Sequence, residues 1–272
     1  MKKEDIQPIL LAMLDKFTQI CDEHQINYCL AYGTHLGAIR HDGFIPWDDD
    51  VDVFMLPEDL KKLRSLNLND DLFFLQNKST DENYCLIFDK VLLKGSRSQI
   101  LDFDVLGDYD GIFIDIFPLY YVPNGFIKRI YMLTLLYLMK YMNLLIVLSA
   151  KKYQEQIVGK IAFVICRFFS IKKINKLVKA IQDKLLALPS SDLVTDIELK
   201  PLKMFKSAWF KNLELHLFAH KYFKICSHSD ELLSLIYGDY MKLPPDAEKL
   251  GHEDITFTID EETIRKLFEE VD

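Results

Sequence analysis

The chain has 272 residues, 50% of them hydrophobic and 27% charged, with a formal net charge of −8. That length and apolar content can bury a substantial core as one domain or two small ones, which excludes a disordered polymer, and the acidic balance argues against a nucleic-acid partner. Five cysteines (Cys21, Cys29, Cys85, Cys166, Cys226) are scattered without a Cys-x-x-Cys spacing, which excludes a disulfide scaffold or a zinc ribbon and predicts reduced packing thiols in a cytosol.

Near the N-terminus, Ile6, Ile9, Leu10, Met13, Phe17 and Ile20 have the spacing of an amphipathic helix and not of a signal peptide, so a cytoplasmic protein is expected. A short strand over 28–31 then delivers a turn at Gly33. Gly33-Thr34 stands just before Leu36, Ala38 and Ile39, where small residues at a helix start let backbone N–H groups approach an anion. From Asp50 onward acidic and apolar residues alternate, which predicts a half-buried strand with Val51, Val53 and Met55 on one face and Asp50 and Asp52 on the other. Two carboxylates side by side repel each other, and a divalent cation between them is the chemistry that keeps both ionised. A calcium loop starting at Asp48 fails, because its sixth position is Val53 and its twelfth is Asp59. Asp48-Asp49 taken alone reads as a solvated acidic turn.

Pro57 suits the first position of a further helix, with Glu58 and Asp59 in its first turn. Strand-like runs follow at 72–76, 84–93 and 112–117, the last holding a single acid, Asp115. Lys90, Lys94 and Arg97 read as solvated strand edges, with a substrate phosphate as the alternative, and Asp102, Asp104, Asp108 and Asp110 as a polar loop.

Residues 126–184 carry twelve Lys/Arg against Glu155 and Asp183, a local charge of +10 that leaves −18 in the remainder. The greasiest run, 130–148, has Lys140 at its centre, which disfavours a bilayer span. A second apolar helix is expected over 157–171, closed by Lys172-Lys173. Cations beside large apolar faces fit an anionic membrane surface, and a core helix pair with snorkelling lysines remains the alternative. Further on, Trp209, Phe210, Phe218, Tyr222 and Phe223 suggest core or a strand pair, and Ser229 suggests the cap of a helix through Ile236.

Three blocks carry a family resemblance. The stretch Gly33-Thr34-His35-Leu36-Gly37-Ala38-Ile39-Arg40-His41-Asp42-Gly43-Phe44-Ile45-Pro46-Trp47-Asp48-Asp49-Asp50-Val51-Asp52 resembles the defining block of the LicD family. Ile114-Asp115-Ile116-Phe117-Pro118-Leu119 is similar to the family's second block, and Tyr237-Gly238-Asp239-Tyr240-Met241-Lys242-Leu243-Pro244-Pro245 with His252 to its third. The resemblance implies an α+β, nucleotidyltransferase-like mixed β-sheet flanked by helices, with an added helical, membrane-apposed segment. The implied division is a catalytic core over 1–122, a basic apolar helical segment over 123–188, and a C-terminal part over 189–272 that completes the core and the acceptor side.

The implied activity is Mg²⁺-dependent transfer of phosphocholine from CDP-choline to a hydroxyl of a lipid-linked cell-surface glycan, such as a lipopolysaccharide or teichoic acid precursor, with release of CMP. The enzyme would work peripherally at the inner face of the plasma membrane. Asp50, Asp52 and Asp115 are the expected ligands of Mg²⁺, with Mn²⁺ as the alternative ion, and Asp115 or Asp48 the expected base. Gly33, Thr34, Arg40 and His41 are the expected pyrophosphate contacts. Trp47 and Tyr32 supply aromatic faces for a trimethylammonium group. Three rivals stay open: ribitol phosphate or another CDP-alcohol as donor, true nucleotidyl transfer from an NTP, and an inactive membrane-bound scaffold.

Overall fold

A computed structural model describes residues 3–100, 109–150, 153, 155–199, 202–245 and 255–269. Asp102, Asp104, Asp108, Lys151, Lys152 and His252 lie outside the described residues. Helix α1 (Lys3–Glu23) turns Ile6, Ile9, Leu10, Met13 and Phe17 inward, as the spacing predicts. Strand β1 (Cys29–Leu30), helix α2 (Tyr32–His41), strand β2 (Asp52–Met55) and helix α3 (Pro57–Ser65), with its proline in the first turn, follow. Then come β3 (Phe73–Gln76), β4 (Asp89–Leu93), β5 (Ser96–Ile100), β6 (Phe113–Pro118) and β7 (Tyr120–Tyr121).

The central sheet has the order β1-β2-β6-β4-β3. Only β2 and β6 run parallel; the other neighbouring pairs are antiparallel, so the sheet is mixed. Because β2 lies inside this sheet, all four of its residues are buried. The half-buried strand expected from Asp50 onward is corrected accordingly: Asp50 and Val51 precede it, and both faces are covered. One face of the sheet, through Val53, Met55, Ile114, Ile116 and Val91, joins α1 in the main apolar cluster. The other, through Cys29, Phe54 and Phe117, joins a second cluster with Phe205, Trp209 and Phe210. The run 84–93 yields a strand only from Asp89. All five cysteines are free and buried.

Helices α4 (Phe126–Leu148), α5 (Ile157–Phe169) and α6 (Ile171–Leu186) come next. Lys172-Lys173 therefore open α6 instead of closing α5, because Ser170 takes a left-handed φ of 62° and breaks the path between them. Strand β8 (Leu193–Thr195) pairs with β7 and β9 (Met204–Lys206) with β8, and α7 (Ala208–Lys211) holds Trp209 and Phe210. A hairpin of β10 (Leu213–Phe218) and β11 (Lys221–Cys226) contains Phe218 and Phe223, both buried. Ser229 is the first residue of α8 (Ser229–Tyr237) and not its cap; its hydroxyl donates to the Cys226 carbonyl at 2.8 Å. Strand β12 (Ile255–Ile259), paired with β5, and helix α9 (Glu261–Phe268) close the described chain.

Candidate active site

The site grows from the register of β2 on β6, which sets Asp52 directly beside Asp115. On the far side of β6, Lys90 of β4 is the register partner of Asp115. Partners in register share a sheet face, so two acids and a base stand in one row across three strands. Lys90 Nζ lies 2.7 Å from Asp115 Oδ1, with the two side chains only 10% and 11% exposed. The ammonium also sits 3.1 Å from the centre of the Phe113 ring, a cation on an aromatic face. The reading of Lys90 as a solvated strand edge is thereby overturned: a lysine buried this deeply needs a counter-charge, and Asp115 supplies it. Lys94 does reach outward, its ammonium bonding the Asp70 carbonyl, and Arg97 is exposed.

Helix α2 presents its first turn to the same place. The Ala31 N–H donates to the Asp52 carbonyl at 2.9 Å, and the Asp52 N–H donates to Thr34 Oγ1 at 2.9 Å, so the start of α2 and the start of β2 are tied together. No side chain at the N-cap, Ala31, bonds the first turn, whose N–H groups make the anion-favouring end of the helix dipole. Gly33 lets the helix start lie close to Asp48: a Cβ there would stand 2.6 Å from Asp48 Oδ2, and that carboxylate would have to swing aside. Tyr32 opens the helix at a left-handed φ of 41°, uncommon for an aromatic residue and of the kind that clusters at functional turns.

Four acids crowd this corner. Burial, followed by Asp50, Asp115 and Asp48, pushes the Asp52 carboxyl well above the usual carboxylate range, and Lys90 only partly offsets them. Asp48 and Asp50 are half-buried, and Asp49 is buried. The Tyr237 phenol, at the end of α8, is pushed up by desolvation and by Asp52, Asp48 and Asp50, so the third sequence block returns to the acids of the first.

The other expected residues are distributed as follows. Arg40 and His41 form the last turn of α2, seven or eight residues beyond Gly33 and so about 10 Å along the axis. Arg40 donates from Nη1 to the Tyr240 carbonyl at 2.8 Å and from Nε to His41 Nε2 at 3.0 Å, which anchors the segment after α8. Burial and the Arg40 charge lower His41. Trp47 meets His41 edge to face at 6.3 Å and packs with Tyr240 on a small cluster of Leu36, Ile45 and Leu233. Tyr32 packs 4.9 Å from the rings of both Phe54 and Phe117, and its hydroxyl bonds Asp196 Oδ2. Asp48, Asp50, Asp52, Asp115, Gly33, Thr34 and Tyr32 thus share one corner; Arg40, His41 and Trp47 line its far side.

Three residues of this region were not assigned to the site from the sequence. Lys90 carried no signal beyond its charge within an apolar strand. Tyr237 was visible only as part of the third block. Asp196 follows β8, fully buried, with its carboxyl raised to about 8 by burial and by Glu198.

Residues 25–139 match the family described as LicD/FKTN/FKRP, nucleotidyltransferase domain, a span that includes α2, β2, β4 and β6. The chain is also 29% identical over 263 residues to the lipopolysaccharide cholinephosphotransferase LicD of Haemophilus influenzae, covering 90% of this chain and 94% of that protein. A shorter likeness, 44% identity over 41 residues, joins it to the uncharacterised protein RP689 of Rickettsia prowazekii, over 15% of each chain. Over residues 25–139 the chain is thus similar to the nucleotidyltransferase domain of that family, and along most of its length to the Haemophilus protein.

Proposed function

We propose that the protein transfers phosphocholine from CDP-choline to a hydroxyl of a lipid-linked glycan of the lipopolysaccharide type, releasing CMP. The observation that carries the reading is the Asp52–Asp115 register pair, held against the uncapped first turn of α2. The cholinephosphotransferase name of the Haemophilus relative, similar along nearly its whole length, supports the choice of transferred group and acceptor.

The donor set suits a hard cation: Asp50 and Asp52 offer oxygen, and the repulsion that raises the Asp52 carboxyl would be relieved by a divalent ion as well as by a proton. Among the described residues no three His, Cys, Asp or Glu side chains form a ready cage. That is compatible with Mg²⁺, or Mn²⁺ in its place, which takes one or two carboxylates and leaves its remaining positions to water and substrate phosphate. Held by Asp50 and Asp52, such an ion would supply positive charge for the pyrophosphate and the leaving CMP.

The chain's own groups do the rest. The first-turn N–H groups of Gly33 and Thr34 cradle phosphate oxygens. Asp115 takes the proton of the attacking hydroxyl, with Asp48 as the alternative base; Lys90 holds one oxygen of Asp115. The acceptor oxygen forms a bond to the choline-bearing phosphorus, the bond from that phosphorus to the CMP oxygen breaks, and CMP leaves with the electron pair. Tyr32 and Trp47 offer faces to the trimethylammonium group. The Arg40 and His41 end of α2 holds the rim.

CMP release with Mg²⁺ and a panel of CDP-choline, CDP-ribitol, CDP-glycerol and CTP tests this, with and without cell-envelope glycan. Acceptor-dependent CMP from CDP-choline alone is expected. CMP only from another donor would replace the transferred group, pyrophosphate from CTP would move the reaction to nucleotidyl transfer, and no turnover or donor binding would leave a scaffold.

A further inference from the structure

Helices α4 and α5 leave a broad apolar surface uncovered. On α4, Ile127, Ile130, Tyr137, Leu138, Tyr141 and Leu144 are exposed, Ile127 by 81%. On α5, Ile157, Val158, Ile161, Val164, Phe168 and Phe169 are exposed, Ile157 by 76% and Phe168 by 86%. Ile157, Ile161, Val164 and Phe168 fall at helical spacing, so they form one stripe. A soluble monomer seldom leaves contiguous apolar patches of such extent in water.

Charge on and beside the patch is mostly positive, with Glu155, just before α5, an exposed acid next to it. Lys128, Lys160, Arg167, Lys173 and Lys176 are exposed, and neither α4 nor α5 contains an acid. Apolar rows edged by cations are complementary to the acyl boundary and anionic headgroups of a bilayer. Helix α4 has the length and hydropathy to cross a membrane, yet its opposite face belongs to the protein core. Met132, Leu136, Met139 and Ile146 are buried in the main cluster. Asn143 Oδ1 accepts from the buried Lys78 Nζ at 3.2 Å, which also donates to Asn175 Oδ1 of α6 at 2.8 Å and to the Tyr84 carbonyl at 2.9 Å. The central cation, Lys140, is tied back to the Ile197 carbonyl, in a pocket it lines with Tyr137, Tyr141 and Leu144.

We infer that the α4–α5 face is a monotopic docking surface for an anionic lipid bilayer, with both helices lying in the interface and neither crossing it. A chain of contacts links α4 to the site: Lys140 bonds the carbonyl of Ile197, which follows Asp196, and Asp196 bonds Tyr32 at the start of α2. Docking on this face would bring the enzyme to the membrane that carries a lipid-linked acceptor. The inference extends the proposed function by naming the surface that brings the enzyme to its acceptor. Its test uses neither donor nor acceptor, so the two can fail separately.

The full-length protein is sedimented with vesicles of phosphatidylcholine alone and of phosphatidylcholine with phosphatidylglycerol. Binding to the anionic vesicles is expected, weakening with salt. The exposed-site variant Ile161→Ser/Val164→Ser/Phe168→Ser and the charge variant Lys160→Gln/Arg167→Gln/Lys173→Gln/Lys176→Gln should each lose roughly tenfold or more in partitioning. Their circular dichroism and CDP-choline thermal shift should stay unchanged, since none of these residues belongs to the catalytic corner. Wild-type protein that stays in the supernatant overturns the inference, as does equal binding by both variants. A dimer that dissociates on Phe168→Ser, without vesicle binding, would assign the face to a second copy instead.

Discussion

Lys90→Met tests the row of charges on which the site is built. The substitution keeps the length of the side chain and removes the ammonium that lies 2.7 Å from Asp115 Oδ1. Breaking a buried pair from one side typically costs 3–5 kcal/mol, because the remaining charge stays desolvated. Here the remaining carboxylate also faces Asp52 across the parallel pair, so the loss at neutral pH should lie at about 4 kcal/mol. Urea denaturation at pH 7 measures it, and Asp115→Asn in the same chain should restore most of the loss. In a double-mutant cycle the coupling between Lys90 and Asp115 should exceed about 2 kcal/mol. A loss below about 1 kcal/mol, or additive single mutants, would refute the placement of Lys90 in the row.

Asp52→Asn should abolish turnover and yet raise the stability of the metal-free protein. A carboxyl whose folded pKa is raised holds its proton more tightly when folded. Its contribution is therefore favourable below the unfolded value and is lost as pH rises through the folded one. Thermal midpoints without Mg²⁺ should fall more steeply toward alkaline pH in the wild type than in the variant. For the same reason Asp196→Asn should remove a penalty of about 4 kcal/mol at pH 7, given a carboxyl raised from 3.8 to about 8. Denaturation of Asp196→Asn between pH 4 and 8 should lack the wild-type decline. Gly33→Ala should fold, because the atom it meets is the movable Asp48 carboxylate, but donor affinity should drop at least tenfold by equilibrium dialysis. Gly37→Ala should destabilise by about 1–3 kcal/mol in a melt, since its Cβ would stand 2.4 Å from the fixed Gly43 carbonyl.

Much of the site was legible because its signals are local. The Gly33-Thr34 turn, the Asp-apolar alternation and the lone acid in an apolar run each fix a residue on its own element, and the β2–β6 register then brings Asp52 to Asp115. Lys90 was misread because strand periodicity shows which face a side chain takes and not whether that face is covered. Its burial follows from a sheet in which β4 lies between β6 and β3. Asp196 was missed for a related reason: it reaches Tyr32 across 164 positions, a pairing that no spacing in the chain reveals. The break between α5 and α6 rests on one left-handed serine, Ser170, a residue type that seldom announces such a turn. By contrast, the basic, acid-poor segment 126–184 was plain from composition, and the structure adds which of its apolar residues face outward.

The most direct measurement is transfer of tritiated choline from CDP-choline to purified lipopolysaccharide precursor with Mg²⁺, comparing wild type with Asp52→Asn and Asp115→Asn. The account predicts label in the glycan, CMP released in equal amount, and neither product above background for either variant although both remain folded. Label transferred by Asp52→Asn at the wild-type rate would contradict it, and so would CMP formed without label in the acceptor.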